Sequence, residues 1–153
     1  MNRSLVKLLL LACIAVVPFA PMAAAEASSC PRFEIAVADD KGERIVVDED
    51  GSAVRVERPT LLTTADFTGA NVTVTEGQIV LNINLTHEAG GRIQAFSREH
   101  VGVRLAFILD DRALKVARIL DPIRNDGILM GPFPREQADA LAASISNSHC
   151  PSP

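Results

Sequence analysis

The chain has 153 residues, of which 48% are hydrophobic and 22% are charged, and its formal net charge is -4. This length suits one globular domain and is short for two. The acidic balance gives no reason to expect nucleic acid or anionic lipid as a partner.

Residues 1–25 have the layout of a secretory signal peptide. Arg3 and Lys7 precede an apolar run that contains two prolines and closes on three small alanines. The prolines and the alanine end argue against a membrane anchor that stays uncut. We therefore predict cleavage between Ala25 and Glu26, which places the mature chain in the periplasm or outside the cell.

The cysteines fit an exported protein. Leu10–Cys13 is similar to a lipobox, but most of the apolar run follows Cys13, so a lipid anchor there is the less favoured alternative. Cleavage removes Cys13 and leaves Cys30 and Cys150 near the two ends, which predicts a disulfide between them. A metal site with His149 is disfavoured, because paired metal-ligand spacing is absent.

Residues 26–60 predict a small antiparallel β meander that packs on the main unit. Phe33, Ile35 and Val37 alternate with Arg32 and Glu34, as in a half-buried strand. Two further short strands, RIVVD and SAVRVE, are separated by the acidic turn DEDG. The meander ends near a proline at position 59.

The main unit, residues 61–153, begins with strand and helix. In the strand Gln78–Leu85, Asn82 and Asn84 share a face that we expect to be solvated or lightly covered. Thr86 is placed as N-cap of a helix over His87–Arg98. The adjacent glycines at positions 90 and 91 disfavour a helix, so we expect them to pack closely against the sheet.

Two more strands and a second helix follow. Leu105–Leu109 is apolar on both faces, which predicts a central strand, and Asp110 and Asp111 supply its turn. The last helix is the most regular element, with apolar residues at i, i+3, i+4 and i+7. The order predicts an α+β fold, ferredoxin-like, with both helices on one face of a mainly antiparallel sheet. The expected shared core consists of Phe96, Phe107, Leu141 and Ile145.

Catalytic chemistry has little support in the sequence. The adjacent carboxylates of the Asp110–Asp111 turn would point to opposite faces of a strand, and His87, His100 and His149 have no partner at a diagnostic spacing. No phosphate-binding, dinucleotide or metalloprotease motif is present. We therefore expect no enzymatic activity, no cofactor and no metal.

From Leu61 to Ile145 the chain resembles the head part of the first periplasmic domain of SecD, an accessory subunit of the bacterial preprotein translocase. The resemblance is carried, in order, by LLTTADFTGA, VLNINLTHEAGGRIQAFSREHVGVRLAFILDD, ILDPIRNDG and GPFPREQADALAASI. The chain departs from the family's pattern at Lys115–Ala117 and at Pro134. SecD works through transmembrane helices, which this chain lacks after its signal peptide, so the resemblance implies a fold and a polypeptide-handling surface but no motor.

The leading hypothesis is a soluble periplasmic protein that binds polypeptide or a protein partner and is linked to protein export. The face bearing Asn82 and Asn84, or a sheet edge, would accept an extended segment by β-augmentation. We expect no stable membrane insertion after cleavage, and the oligomeric state stays open. The alternatives are an exported enzyme with a site built from scattered residues and a secreted structural or inhibitory module. A deep pocket where a histidine meets a carboxylate would favour the enzyme.

Overall fold

The computed structural model describes residues 30–148, so the predicted cleavage site at Ala25 and Glu26, the alternative lipid site at Cys13 and the predicted disulfide partner Cys150 lie outside the described residues. Eight strands and two α-helices occur in the described part. The strands are β1 (Phe33–Ala38), β2 (Arg44–Asp48), β3 (Ala53–Val56), β4 (Phe67–Thr75), β5 (Gln78–Leu85), β6 (Arg104–Leu109), β7 (Arg112–Arg118) and β8 (Ile128–Met130). The helices are α1 (His87–Glu99) and α2 (Arg135–Ser146), and a short 3-10 helix, Thr64–Asp66, precedes β4.

The strands form two sheets, so the predicted single sheet of ferredoxin type is wrong, although the strand pairs are mainly antiparallel, as predicted. One sheet is a closed barrel in the order β1-β3-β2-β7-β6, and the other has the order β4-β5-β8. Within the barrel β2 runs parallel to β7, while the pairs of the three-stranded sheet are antiparallel. The reason lies in β6, which is apolar on both faces and needs cover on both. A sheet with helices on one side could not supply that cover. The mixed α and β content with two helices is as predicted.

The barrel interior is filled mainly by alanine and valine side chains. β1 and β6 alternate, so that Ala36 and Ala38 point into the barrel together with Ala106 and Ile108. Val46 of β2 completes much of this small core. Small side chains at these positions suit a barrel of only five strands, whose interior is narrow.

The main core lies outside the barrel and joins the two sheets to the helices. Leu81 and Ile83 of β5 are buried in it, and both helices contribute buried residues to the same cluster. Phe33 of the barrel contacts Phe67 of β4 edge to face, with ring centroids 4.9 Å apart. Of the predicted core residues, Phe107, Leu141 and Ile145 are buried and Phe96 packs against them partly buried.

The sequence pattern predicted the position of α1 correctly, but it did not predict how the two glycines of this helix pack. Thr86 is the N-cap, and its hydroxyl accepts a hydrogen bond from the Ala89 N–H at 3.2 Å. Gly90 packs closely against the carbonyl of Asn125, in the turn before β8, while Gly91 faces open space. The expectation that both glycines pack on the sheet is therefore wrong: one lies against a turn, and the other makes no close approach.

Candidate functional site

The outer face of the three-stranded sheet carries a cluster of asparagines. In β5, Asn82 and Asn84 alternate with the buried Leu81 and Ile83 and point away from the core. Asn71 of β4 lies directly opposite Asn82. The sequence analysis predicted the two β5 asparagines and missed Asn71. The two-residue turn that joins β4 to β5 could have revealed it, because a two-residue turn fixes which residues face each other.

The three carboxamides contact one another only loosely. Asn82 Nδ2 lies 3.4 Å from Asn71 Oδ1 and 3.4 Å from Asn84 Oδ1, and Asn84 Nδ2 lies 3.5 Å from Asn71 Oδ1. These distances are long for hydrogen bonds between neutral groups. Each carboxamide offers two donors and an acceptor with two lone pairs, so this asparagine cluster retains capacity for a partner outside the chain.

A groove of about 370 Å³ continues from the asparagine cluster toward β8. Its wall includes Thr73 and the exposed side chain of Leu129. The charged residues along it, Arg124 and Asp126, form an ion pair of 3.4 Å with each other. A partner on this face therefore meets amide and hydroxyl groups together with mutually neutralised charges, which favours a polar, uncharged ligand surface.

The same sheet has an edge strand that is open over part of its length. β4 forms that edge, and β5 is its one strand neighbour in the part of the chain that the structure describes. Its sequence, FTGANVTVT, contains no charged residue and no proline, which are the usual devices that keep an edge strand from pairing with another chain. The asparagine cluster and the open edge thus lie side by side.

A second hollow, of about 440 Å³, lies between the barrel and the end of α1 and contains His100. The imidazole stacks on Phe96 with centroids 4.1 Å apart, and its Nδ1 lies 2.8 Å from the Phe96 carbonyl oxygen. Within residues 30–148 His100 makes no hydrogen bond to a carboxylate, and no serine, threonine or cysteine lines the hollow. Asp39, Asp40 and Glu57 line the same hollow, but in the described part of the chain none of these carboxylates is hydrogen-bonded to His100.

Asp110 and Asp111 are turn residues, as the sequence analysis favoured. Both have positive φ, 48° and 67°, in the tight turn between β6 and β7. Asp111 pairs with Arg32 at 3.0 Å and also contacts Arg44. These carboxylates therefore hold the turn to neighbouring strands.

Glu34 departs from its expected position on a solvated strand face. It is buried at the barrel, where its Oε1 lies 2.5 Å from Nη1 of Arg44. Burial by itself lowers the pKa of Arg44, but the hydrogen bonds that Arg44 donates to Glu34 and Asp111, together with attraction by their charges, raise that pKa above its ordinary value overall. Arg44 is thus held charged, which compensates the buried carboxylate.

Residues 30–148 contain neither a cluster of metal-binding side chains nor a helix that could span a membrane. No group of three or more histidine, cysteine, aspartate or glutamate side chains gathers there in a way that could hold a metal ion. None of the helices in this range has the length and apolar character needed to cross a membrane. Cys30 opens the range, and its pairing with Cys150 stays a prediction.

Comparison with known protein families matches residues 39–150 to the family described as SecDF, P1 head subdomain. This match spans well over half of the chain and includes β2 to β8 and both helices. The chain belongs to the SecDF P1 head subdomain family. The asparagine cluster and the β4 edge both lie within the matched residues.

Relatives of this SecDF head subdomain include two much longer proteins. This chain is 35% identical over 71 residues to the protein translocase subunit SecD of Koribacter versatilis. The match covers 46% of this chain and 13% of that protein. The chain is 31% identical over 99 residues to the protein translocase subunit SecD of Aquifex aeolicus, covering 64% of this chain and 20% of that protein. The chain thus spans a fifth or less of these SecD proteins.

Solved structures agree on the fold of the head subdomain. A crystal structure of SecDF in a super-membrane-facing form matches with a TM-score of 0.62 at 17% identity, over 76% of this chain and 18% of that one. A structure of SecDF described as a membrane component that enhances protein export matches with a TM-score of 0.61 at 18% identity, over 76% of this chain and 62% of that one. Because the sequence identities to these structures are only 17% and 18%, the matches show similarity of fold alone.

Proposed function

We propose that this protein binds extended polypeptide, or an extended segment of a protein partner, in connection with protein export. The observation that carries the proposal is the asparagine cluster beside the uncharged edge of β4. An extended segment presents alternating N–H and C=O groups, which match both the carboxamides of the cluster and the open main-chain groups of an edge strand. Such contacts are made to the backbone and tolerate many sequences, as a factor acting on diverse exported chains requires.

Membership of the SecDF head family supports the link to export, because its relatives are named as subunits of a protein translocase. We propose no motor activity and no catalysis for this chain, and we infer that it acts as a binding module. The expected compartment is the periplasm or the cell exterior after cleavage between Ala25 and Glu26. Mass spectrometry of the exported protein checks this: a mature chain beginning at Glu26 is expected, and an intact Met1 or a lipid on Cys13 would contradict it.

Binding is tested with a permanently unfolded polypeptide, such as a reduced and alkylated protein carrying a fluorescent label. We expect the mature protein to raise the fluorescence anisotropy of this probe and to leave the folded, disulfide-intact form of the same protein unbound. The triple variant Asn71→Ala, Asn82→Ala, Asn84→Ala should weaken binding several-fold. Glu43→Ala, an exposed site in the turn between β1 and β2, is the matched control and should bind normally.

Two outcomes would count against the proposal. If the unfolded probe does not bind at all, a secreted structural or inhibitory module becomes the better description. If the triple variant and the Glu43→Ala control bind equally well, the asparagine cluster is not the contact surface.

A further inference from the structure

One contact with α2 shows which main-chain N–H and C=O groups of β4 point away from β5. The hydroxyl of Ser146 accepts a hydrogen bond from the Ala70 N–H at 3.1 Å and donates one to the Ala70 C=O at 3.2 Å. Both groups of Ala70 therefore point away from β5, although Ala70 lies opposite Ile83 in the ladder. In an antiparallel pair this arrangement recurs at every second residue, so Val72 and Val74 also direct their N–H and C=O groups outward.

A contact at the opposite edge supports this assignment. Ile79 of β5 faces Val74, and its carbonyl accepts a hydrogen bond from the Phe133 N–H, on the β8 side, at 3.0 Å. The groups of Ile79 thus point away from β4, as they must if those of Val74 point away from β5.

Val72 and Val74 form an open stretch of edge. Among residues 30–148 their outward groups have no hydrogen-bond partner, and the Val74 side chain is 60% exposed. At Ala70, in contrast, Ser146 makes the two hydrogen bonds that a residue of an added strand would make. Ser146 therefore blocks one pairing position and leaves the next two free.

The charges around this open stretch of edge favour a bound segment of a particular charge pattern. Glu76, exposed in the turn after β4, lies at one end. The C-terminus of α2 lies at the other end, next to Ala70, where the helix dipole is negative and the last turn contains no basic residue. An extended segment with an uncharged centre and a basic residue at each end complements this distribution.

A second copy of the chain fits this edge poorly. Antiparallel pairing of two β4 strands about Thr73 would place Glu76 of each copy opposite Ala70 of the other. Each carboxylate would then approach the negative end of the other copy's α2, which is unfavourable. The net charge of -4 on each chain adds to the repulsion.

We propose that β4 binds an extended polypeptide segment by main-chain pairing at Val72 and Val74, that the preferred segment is uncharged in its centre with lysine or arginine at both ends, and that Ser146 sets its register by occupying Ala70. This inference rests on the proposed function and names the contacts and the ligand class. Side chains of the bound segment alternate between the asparagine face and the helix side.

The test uses a labelled peptide with a Thr-Val-Thr-Val-Thr centre and two lysines at each end. We expect it to bind at least about fivefold more tightly than the same peptide with glutamates in place of the lysines, because each end meets negative charge. Raising the salt concentration should reduce this difference.

Variants at Val74 separate edge pairing from other modes of binding. Val74→Pro removes the outward N–H without removing a hydrogen bond to β5 and should weaken binding of the lysine peptide at least about tenfold. Val74→Thr keeps the N–H and is the matched control for the change of side chain, so it should bind the lysine peptide far more tightly than Val74→Pro does. Ser146→Ala frees Ala70 and should tighten binding about threefold or more, since a further residue can pair. Far-ultraviolet circular dichroism confirms that each variant is folded.

Three results would overturn this inference. Equal binding by Val74→Pro and Val74→Thr would exclude pairing at the edge. If the unfolded probe still binds through the asparagine cluster in that case, the proposed function stands without the edge. A glutamate peptide that binds as tightly as the lysine peptide would exclude the charge preference. Sedimentation that finds a dimer in the parent and a monomer in Val74→Pro would assign the edge to a second copy.

Discussion

Gly90 of α1 lies so close to the carbonyl oxygen of Asn125 that a β-carbon at position 90 would overlap that oxygen. The backbone at Asn125 would have to move to admit a methyl group, so Gly90→Ala should lower the free energy of unfolding by about 1–3 kcal/mol. Gly91→Ala is the control in the same helix. It faces open space and should raise the free energy of unfolding by about 0.5–1 kcal/mol. Urea denaturation of both variants measures the two changes, and equal signs would contradict this packing.

Asp66 connects the segment before β4 to α1, and its carboxylate should make stability depend on pH. Burial alone would raise the pKa of Asp66, but hydrogen bonds from the Thr63 N–H, at 2.8 Å, and from Arg92 lower it overall. A lowered folded-state pKa means that the stabilisation is present above the unfolded-state pKa and is lost as the pH falls through the folded-state value. Asp66→Asn should therefore destabilise the protein near neutral pH.

The stability gap between the parent and Asp66→Asn should shrink as the pH is lowered below about 4, where the unfolded carboxyl begins to be protonated. Thermal melts of both proteins across pH 2.5 to 7 measure it. Glu88→Gln serves as a control, because Glu88 is exposed and its contact with Arg92 is 3.4 Å. A gap that stays constant over the range would show that the effect of Asp66 is not its charge.

The buried Glu34–Arg44 pair should be costly to break from one side. Their side chains are only 9% and 12% exposed, so Arg44→Ala leaves an uncompensated carboxylate and should lower the free energy of unfolding by about 3–5 kcal/mol. The double variant Glu34→Leu, Arg44→Met removes both charges and should recover most of that loss. Urea denaturation measures all of these variants, and the single variants Glu34→Leu and Arg44→Met complete the cycle with the double variant. A double variant as unstable as Arg44→Ala would indicate that the pair matters for packing and not for charge.

A disulfide between Cys30 and Cys150 should stabilise the mature protein. They would be its two cysteines after the predicted removal of residues 1–25, and the proposed export would place them in an oxidising compartment. Closing so long a loop should contribute about 4–5 kcal/mol on the chain-entropy model, as an upper value. Cys30→Ser should therefore melt at a markedly lower temperature than the untreated parent. Two free thiols in the untreated, unfolded protein would contradict the prediction.

Local patterns in the sequence predicted individual elements well. The alternation in β5 placed Asn82 and Asn84 on an exposed face, and the helical spacing of Leu141 and Ile145 placed both in the core. Thr86 marked the start of α1 because its hydroxyl satisfies a helix N–H that otherwise has no partner. These features depend on near neighbours in the chain, which periodicity and capping describe.

Pairing between distant strands was beyond such reasoning. β6 is apolar on both faces, which fits the centre of a single sheet as well as the wall of a barrel, and nothing in its pattern selects β1 as partner. Glu34 was assigned to a solvated face because its partner Arg44 lies on another strand. In the candidate site, no sequence pattern indicated that Ser146 contacts Ala70, because a serine in the last turn of a helix has no fixed tertiary role.

The closure of the barrel by β1 and β6 has a consequence for how the chain folds. Partners in this pair are 66 to 76 positions apart, from Ala38 with Arg104 to Phe33 with Leu109. A chain that emerges from its N-terminus first can pair β1 with β3, but the other edge of β1 has no partner strand until β6 has appeared. Contacts of such long sequence separation slow folding. During that delay one edge of β1 is open to pairing with other chains, which is the same kind of contact that the β4 edge is proposed to make.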